Sequence, residues 1–565
     1  MLTRWGRDLD RDLPLPEHPR PQLVRPRWSN LNGSWRYAIT ATPDPPETWD
    51  GDITVPFSPE AELSGVGRQL QPDQWLFYSR SFAPPALSEG ERLLLHFGAV
   101  DQSCTVWING VEVGAHTGGY LPFTLDITDA LTDPRSRDLD LLVVRVRDLS
   151  ETGPHARGKQ RLDRGTIWYT AQSGIWQTVW LEPVPETYIR GLETTPDVEG
   201  GGFDVTLQLS DGNIETRRID VTTPQLWSPD DPHLHWFDVT AGEDTVRTYG
   251  ALRTFGVRDG RLLLNGEPIQ HVGVLDQGYW PDGLLTAPSD AAMVHDITTM
   301  KSLGFNTLRK HVKVEPLRWY YHCDRLGMLV WQDMVNGGGR YRHLVANRPA
   351  KWPIRLSDKR YDLFFRGDAD ARGEFREEVR QTVALLRNCA CIAVWVPFNE
   401  GWGQFDANDI AAEIAALDPT RQVNHVSGWI DQGGGDIRSF HRYIRRWRMP
   451  RRRRADSRVI ALSEYGGYSL RVEGHDWSER EFGYRHCADE HELATAFTEL
   501  HERVLAPTVP GGLAATVYTQ LSDVEDELNG LLTWDREVQK LPTGVIREAL
   551  DSLRPAGPPT ADRPG

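Results

Sequence analysis

At 565 residues the chain exceeds one ordinary core, and its length predicts about three or four domains. With 80 acidic against 63 basic side chains the net charge is −17, which excludes a general nucleic-acid binder presenting a basic face. The five cysteines, Cys104, Cys323, Cys389, Cys391 and Cys487, are odd in number and form no C-x-x-C pair, which argues against a disulfide framework or a thiolate zinc site.

Residues 1–28 are rich in Pro and Arg and read as a poorly ordered arm. They show no apolar h-region, and no uncharged apolar run anywhere reaches the roughly 20 residues of a membrane span. The expectation is a cytoplasmic protein. From Trp28 to about Pro185, short β runs are broken by Gly, Pro, Asn and Asp. Examples are Ser34-Trp35-Arg36-Tyr37-Ala38-Ile39, Arg92-Leu93-Leu94-Leu95-His96-Phe97 and Leu141-Leu142-Val143-Val144-Arg145-Val146. This spacing predicts a β-sandwich over residues 1–185. A second β region, residues 186–257, contains the period-two run Phe203-Asp204-Val205-Thr206-Leu207-Gln208-Leu209 and predicts a small immunoglobulin-like sandwich.

From residue 258 to the end, strand-like and helix-like runs alternate. Eight strands are predicted to begin near Ile269, Phe305, Met328, Ile392, Gln422, Ile437, Val459 and Leu513. Helices are expected over 290–303 and 373–386. Eight such units predict a (β/α)8 barrel.

The chemistry is concentrated at two strand ends. The apolar run Cys391-Ile392-Ala393-Val394-Trp395-Val396 leads through Pro397-Phe398 into Asn399-Glu400-Gly401-Trp402-Gly403. Val459-Ile460-Ala461-Leu462-Ser463 leads into Glu464-Tyr465-Gly466-Gly467 in the same way. Two carboxylates projecting into one barrel mouth are what glycoside hydrolysis needs: one kept protonated, the other ionised. Unusually many tryptophans, 21, suit stacking on sugar rings as well as core filling. Other strand ends offer Asp276, Arg309, His311, Asp333 and His441. Arg309 can neutralise an ionised nucleophile; Asp276, His311, Asp333 and His441 can bind sugar hydroxyls or serve structural hydrogen bonds.

Several motifs resemble glycoside hydrolase family 2, the family of β-galactosidases, β-glucuronidases and β-mannosidases. They are Val106-Trp107-Ile108-Asn109-Gly110, Ser173-Gly174-Ile175-Trp176, Phe305 to His311, Phe398-Asn399-Glu400-Gly401-Trp402-Gly403, Ser463-Glu464-Tyr465-Gly466-Gly467 and Thr519-Gln520-Leu521-Ser522-Asp523-Val524-Glu525. The resemblance implies a jelly-roll sugar-binding-like domain, an immunoglobulin-like domain and a catalytic TIM barrel. It implies Glu400 as general acid/base, Glu464 as nucleophile and Asn399 on the sugar 2-hydroxyl. It also implies retention of configuration, with carboxyl groups about 5–5.5 Å apart. Trp534 would wall the reacting subsite and Trp402 floor the leaving-group side; packing of the barrel cap is the alternative for both.

The expected activity is that of a retaining, exo-acting β-glycosidase, β-galactosidase-like first. A galactofuranosidase, arabinosidase or β-glucuronidase of the same family, and a non-catalytic carbohydrate-binding protein, are the alternatives. Two departures keep them open: there is no Asn-x-Lys pair of the β-glucuronidase kind, and Trp168 and Tyr169 stand where some β-galactosidases carry an acid. No cofactor, metal, nucleic-acid or membrane partner is called for, and a homo-oligomer is compatible with the chain. The basic run Arg445 to Arg454 reads as a solvated loop.

Overall fold

The computed structural model describes residues 1–132, 139–341, 356–443, 446–450 and 456–554. Half of the run from Arg445 to Arg454 lies outside them. Within it, Arg446 and Arg448 are exposed, while Trp447 is buried and donates its indole N–H to Thr508 Oγ1 at 3.1 Å.

The first sandwich pairs a six-stranded sheet with a four-stranded one. The larger runs in the order Gly51–Val55, Gly33–Thr40, Trp75–Phe82, Asp140–Arg147, Ser103–Ile108 and Val111–Thr117. The smaller contains Ser29–Asn30, Val179–Val184, Arg92–Phe97 and Phe123–Asp126. Alternate residues of facing strands, such as Trp35, Leu76, Tyr78, Leu93, Leu95, Val106 and Val144, fill the space between the sheets. The second sandwich has three strands, Ile189–Asp197, Gly202–Leu209 and Ile214–Asp220, against the hairpin His235–Ala241 and Asp244–Gly250. Its core is small, built on Phe203, Val205, Leu207, Val239 and Val246.

The N-terminal arm is not loose, contrary to the sequence expectation. Thr3 donates through its N–H and its Oγ1 to Asp282 Oδ2, at 2.8 and 2.6 Å. Arg25 is buried between Asp244 and Glu182, with N–O distances of 2.7 and 2.8 Å, and Arg20 reaches Glu182 at 2.6 Å. Buried carboxylates remote in sequence thus order a stretch whose own composition is that of a linker.

The third unit is the barrel. Its strands are β1 (His271–Asp276), β2 (Thr307–Lys310), β3 (Leu329–Asp333), β4 (Ile392–Val396), β5 (Gln422–Val423), β6 (Ile437–Arg442), β7 (Val459–Gly466) and β8 (Leu513–Thr519). All neighbours are parallel, in the order β5-β4-β3-β2-β1-β8-β7-β6. The seam between β5 and β6 is joined by Asp436 N–H donating to Val423 O at 2.8 Å. Every residue of β3 and β4 is buried, as a parallel strand covered on both faces requires.

Helices α1 (Asp290–Ser302), α2 (Leu317–Leu326), α3 (Ala369–Leu386), α4 (Ala407–Leu417), α5 (Glu490–Thr498) and α6 (Thr543–Asp551) belong to this unit. Helix α3 starts four residues before the expected 373 because Asp368 caps it, accepting from the N–H groups of Asp370 and Ala371. No helix among the described residues is long and apolar enough to cross a membrane.

Residues 154–172 of the first sandwich run onto the C-terminal rim of the barrel. Ala156 bridges Gly337, the Tyr169 hydroxyl donates to Glu527 Oε2 at 2.5 Å, and Thr170 N–H donates to Glu525 Oε1 at 3.0 Å. The first sandwich therefore forms part of the wall of the barrel mouth.

Candidate active site

The end of β4 makes a sharp turn. Glu400 has a φ of +51°, and Gly401 and Gly403 follow at +79° and +62°. For a glutamate this left-handed backbone costs about 1–3 kcal/mol and marks a position held for a reason. It is fixed by Glu400 N–H donating to Ser427 O at 2.8 Å. The turn swings the carboxyl into the barrel mouth, leaving Glu400 8% exposed. Glu464, near the end of β7, comes from the opposite side and is 5% exposed.

The two carboxylates and His441 of β6 converge. One oxygen of Glu400, one of Glu464 and a His441 ring nitrogen all lie within 4.8 Å of one another. His441 Nδ1 is 2.7 Å from Glu400 Oε1 and 3.4 Å from Glu464 Oε2. A chain of hydroxyls fixes the other ring nitrogen. Ser463 Oγ donates to Phe440 O, and Ser427 Oγ donates to Ser463 Oγ at 2.8 Å. Ser427 must then accept from His441 Nε2–H, 2.8 Å away. Nδ1 is left to share one proton with Glu400.

Arg309 of β2, fully buried, is the organiser. All five of its N–H donors are used. Nε and Nη2 fork onto Asp333 at 3.0 and 2.9 Å, and Nη2 also donates to Asn399 Oδ1 at 2.8 Å. Nη1 donates to Ser463 O at 3.1 Å and to Glu464 Oε1 at 2.8 Å. Because Arg309 can only donate, Asn399 must present its oxygen to it. The Asn399 amide nitrogen then faces the other way, where it is buried without a partner.

The electrostatics split the pair. Burial pushes the Glu400 carboxyl above the usual carboxylate range; the His441 hydrogen bond opposes this and the charge of Glu464 adds to it. For Glu464 burial acts in the same direction but is outweighed by His441, Arg309, His311 and the Tyr443 hydroxyl, which together hold it at about 2. Tyr443 donates to Glu464 Oε2 at 2.5 Å and stacks on Tyr484, with ring centroids 3.7 Å apart. One acid is therefore poised to keep its proton while its neighbour is ionised.

Glu400, Glu464, Asn399, Arg309 and His441 are thus brought together. His311 is adjacent: its Nδ1 is 2.8 Å from Asp333 Oδ2 and its ring 6.4 Å from that of Trp402. Two expected sugar-binding residues are otherwise engaged. Both oxygens of Asp333 accept from Arg309, and one also contacts His311, so it holds the site from behind. Asp276 accepts from Lys310 Nζ at 2.7 Å and from Gly278 N–H at 2.8 Å, within a buried charge cluster. Trp402 packs with Trp168 and Tyr341 at the rim. Trp534 is fully buried beside Arg536, its indole N–H unpartnered.

Sequence reasoning missed Tyr443, Ser427 and Ser463. Ser463 precedes Glu464 directly, and Tyr443 stands two residues past His441, so proximity to a strand end was the available signal. Glu400, His441 and Glu464 are also the ligand set that would best hold a cation. Both Glu464 oxygens, however, already accept hydrogen bonds, and His441 Nδ1 is engaged with Glu400.

Comparison with known proteins gives one consistent picture. Residues 255–453 match the family model described as glycosyl hydrolases family 2, TIM barrel domain. Residues 51–162 match the glycosyl hydrolase 2 galactose-binding domain-like model. A β-galactosidase of Thermoanaerobacter pseudethanolicus is 23% identical over 395 residues, covering 62% of this chain and 48% of the relative. One of Pectobacterium atrosepticum is 26% identical over 487 residues, covering 73% and 43%. The chain spans less than half the length of these two relatives. Among solved structures, a β-glucuronidase of Lactobacillus rhamnosus superposes with a TM-score of 0.73 at 17% identity, covering 94% of this chain and 98% of that one. A β-galacturonidase of Eisenbergiella tayi bound to galacturonate gives 0.68 at 17% identity, with 94% and 98% coverage. These structural likenesses bear on the fold.

Proposed function

From a chain that belongs to glycoside hydrolase family 2, we propose a retaining, exo-acting β-glycosidase that works by double displacement. The observation that carries this reading is the Glu400–Glu464 pair, with carboxylate oxygens within 4.8 Å and surroundings that push the first pKa up and the second down. That separation suits direct attack on a sugar carbon; an inverting pair stands about 6.5–9.5 Å apart to admit a water.

In the first step Glu464, ionised, attacks the anomeric carbon. Glu400 gives its proton to the departing oxygen, and a glycosyl–Glu464 ester forms. In the second step Glu400, now ionised, takes a proton from water, which displaces Glu464 and restores both groups. Arg309 and Tyr443 hold the nucleophile in line through one oxygen each. The free Asn399 N–H is offered to the sugar 2-hydroxyl, a contact that strengthens as the ring flattens. His441, 2.7 Å from Glu400 through Nδ1, orients that carboxyl. Asp333 and His311 keep Arg309 in place.

The substrate is a glycoside with a terminal β-linked sugar. The starting expectation is a galactoside, with galactofuranoside, arabinoside and glucuronide as the alternatives; the curated relatives named β-galactosidase support the first, and the solved β-glucuronidases the last. The test is the anomer released first from an aryl β-glycoside, followed by NMR. The β-anomer is expected. Initial release of the α-anomer would overturn the mechanism, and failure to hydrolyse any aryl glycoside would favour a sugar-binding protein.

A further inference from the structure

The double displacement leaves several cations at the barrel mouth unused, and two of them lie against Trp402 and Trp168. Both come from the first sandwich: Lys159 and Arg161, alternate residues beside and within the short strand Gln160–Arg161. Lys159 is only 5% exposed. Its Nζ lies 5.2 Å from the ring centre of Tyr169 and 6.0 Å from that of Trp402. The Arg161 guanidinium lies 4.5 Å from the ring of Trp168, which in turn packs 5.0 Å from Trp402. Trp402 stands two residues past Glu400, and the Lys159 charge acts on both Glu400 and His311.

Among the described residues Lys159 has no ion-pair or hydrogen-bond partner for its ammonium. Every other buried lysine among the described residues has a carboxylate: Lys310 pairs with Asp276 and Glu315, Lys313 with Glu315, and Lys540 with Asp523. Two carboxylates that face the same stretch of the sandwich have other partners. Glu527 accepts from Tyr169 and Asn529; Glu525 accepts from Thr170 N–H and faces Arg164 at 3.5 Å. Residues 342–355, which follow Tyr341 of the same aromatic cluster, contain no Asp or Glu. A largely buried cation with no carboxylate beside it is a ready receptor for an anion carried in by a ligand.

We propose that Lys159, backed by Arg161, receives a carboxylate carried by the substrate sugar, so that the enzyme acts on glycosides of a uronic acid. This rests on the glycosidase reading above and moves the substrate from a neutral galactoside to a uronide. The aromatic faces of Trp402 and Trp168 would carry the apolar side of a sugar ring beside the charge.

The test compares wild type with Lys159→Met and Lys159→Arg on four 4-nitrophenyl β-glycosides: glucuronide, galacturonide, glucoside and galactoside. Wild type is expected to favour a uronide. Lys159→Met should lower kcat/KM for it on the order of 10- to 100-fold, the scale of one charge-assisted hydrogen bond, and leave the neutral sugars within about threefold. Lys159→Arg should recover much of the loss. An equal fall on both classes, or a wild-type preference for neutral sugars, would overturn the assignment.

A 4-carboxyphenyl β-galactoside places the charge on the leaving group instead. A selective loss there, with uronides unaffected, would also refute the sugar-borne carboxylate. Should Lys159→Met misfold, inhibition of wild type decides: free glucuronate or galacturonate must compete better than glucose or galactose. If wild type hydrolyses nothing, the glycosidase reading fails by itself. Calorimetric binding of uronate, present in wild type, lost in Lys159→Met and largely kept in Lys159→Arg, would then still support the Lys159 site, and its absence from wild type would refute it.

Discussion

Replacing Arg309 by lysine keeps the charge and removes the fork. Lysine offers three donors on one nitrogen and cannot span Asp333, Asn399 and Glu464 together. The bond lost to Glu464, 2.8 Å from Nη1 and fully desolvated, is charge-assisted. Such bonds contribute about 1.5–3 kcal/mol, or about 1–2 pH units at roughly 1.4 kcal/mol per unit. The Glu464 carboxyl, held at about 2 in the native protein, should therefore rise to roughly 3–4. Its folded value is depressed, so the ionised nucleophile is present above that value and is lost as pH falls through it. The assay is kcat/KM on an aryl glycoside from pH 3.5 to 8, with circular dichroism at each pH to confirm folding. Wild type should show no acid limb in this range; Arg309→Lys should show one entering near pH 4. A variant whose activity falls by the same factor at every pH, with no new limb, would refute the claim that Arg309 holds the nucleophile ionised.

Two further outcomes test the remaining parts. Glu400→Gln removes the transferable proton: kcat should fall about 10²- to 10⁴-fold for poor leaving groups and far less for activated ones, and the basic limb set by Glu400 deprotonation should vanish; a basic limb that persists would assign it to another group. Chelation by EDTA should leave kcat/KM unchanged, because each Glu464 oxygen already accepts a hydrogen bond and His441 Nδ1 is engaged with Glu400; inhibition reversed by a divalent cation would show that Glu400, His441 and Glu464 ligate one.

Much of this site was legible because parallel strands must be apolar until they end. That rule exposes Glu400 after β4 and Glu464 near the end of β7, and it counts all eight strands, including β5, only two residues long. It fails where the deciding partner is lateral rather than sequential. Asp276 looked free at the end of β1, yet its register partner on β2 is Lys310, and the pair neutralise each other. Asp333 likewise sits beside Arg309. Ser427 was invisible because it lies in a loop, and only a chain of four polar groups gives it a role. The N-terminal arm misled for a related reason: Arg20 and Arg25 read as linker until Glu182 and Asp244, far along the chain, are seen to receive them.

The same lateral logic yields one last prediction. Arg309 is bonded to both Asn399 and Glu464, so the orientation of the 2-hydroxyl donor and the charge of the nucleophile are not independent. Asn399→Ala alone removes a positioned donor, a loss on the order of 10²- to 10³-fold by comparison with other transition-state donors. In an Arg309→Lys background the Asn399 oxygen is no longer anchored, its amide is free to turn, and there is less left to lose. The two substitutions should therefore be sub-additive in the free energy of kcat/KM, by about 0.5–3 kcal/mol. A glycoside lacking the 2-hydroxyl supplies the control, since Asn399→Ala should barely affect it. Full additivity, with the 2-hydroxyl present, would mean that something other than Arg309 aims the Asn399 amide, and the network drawn from these distances would be wrong at its centre.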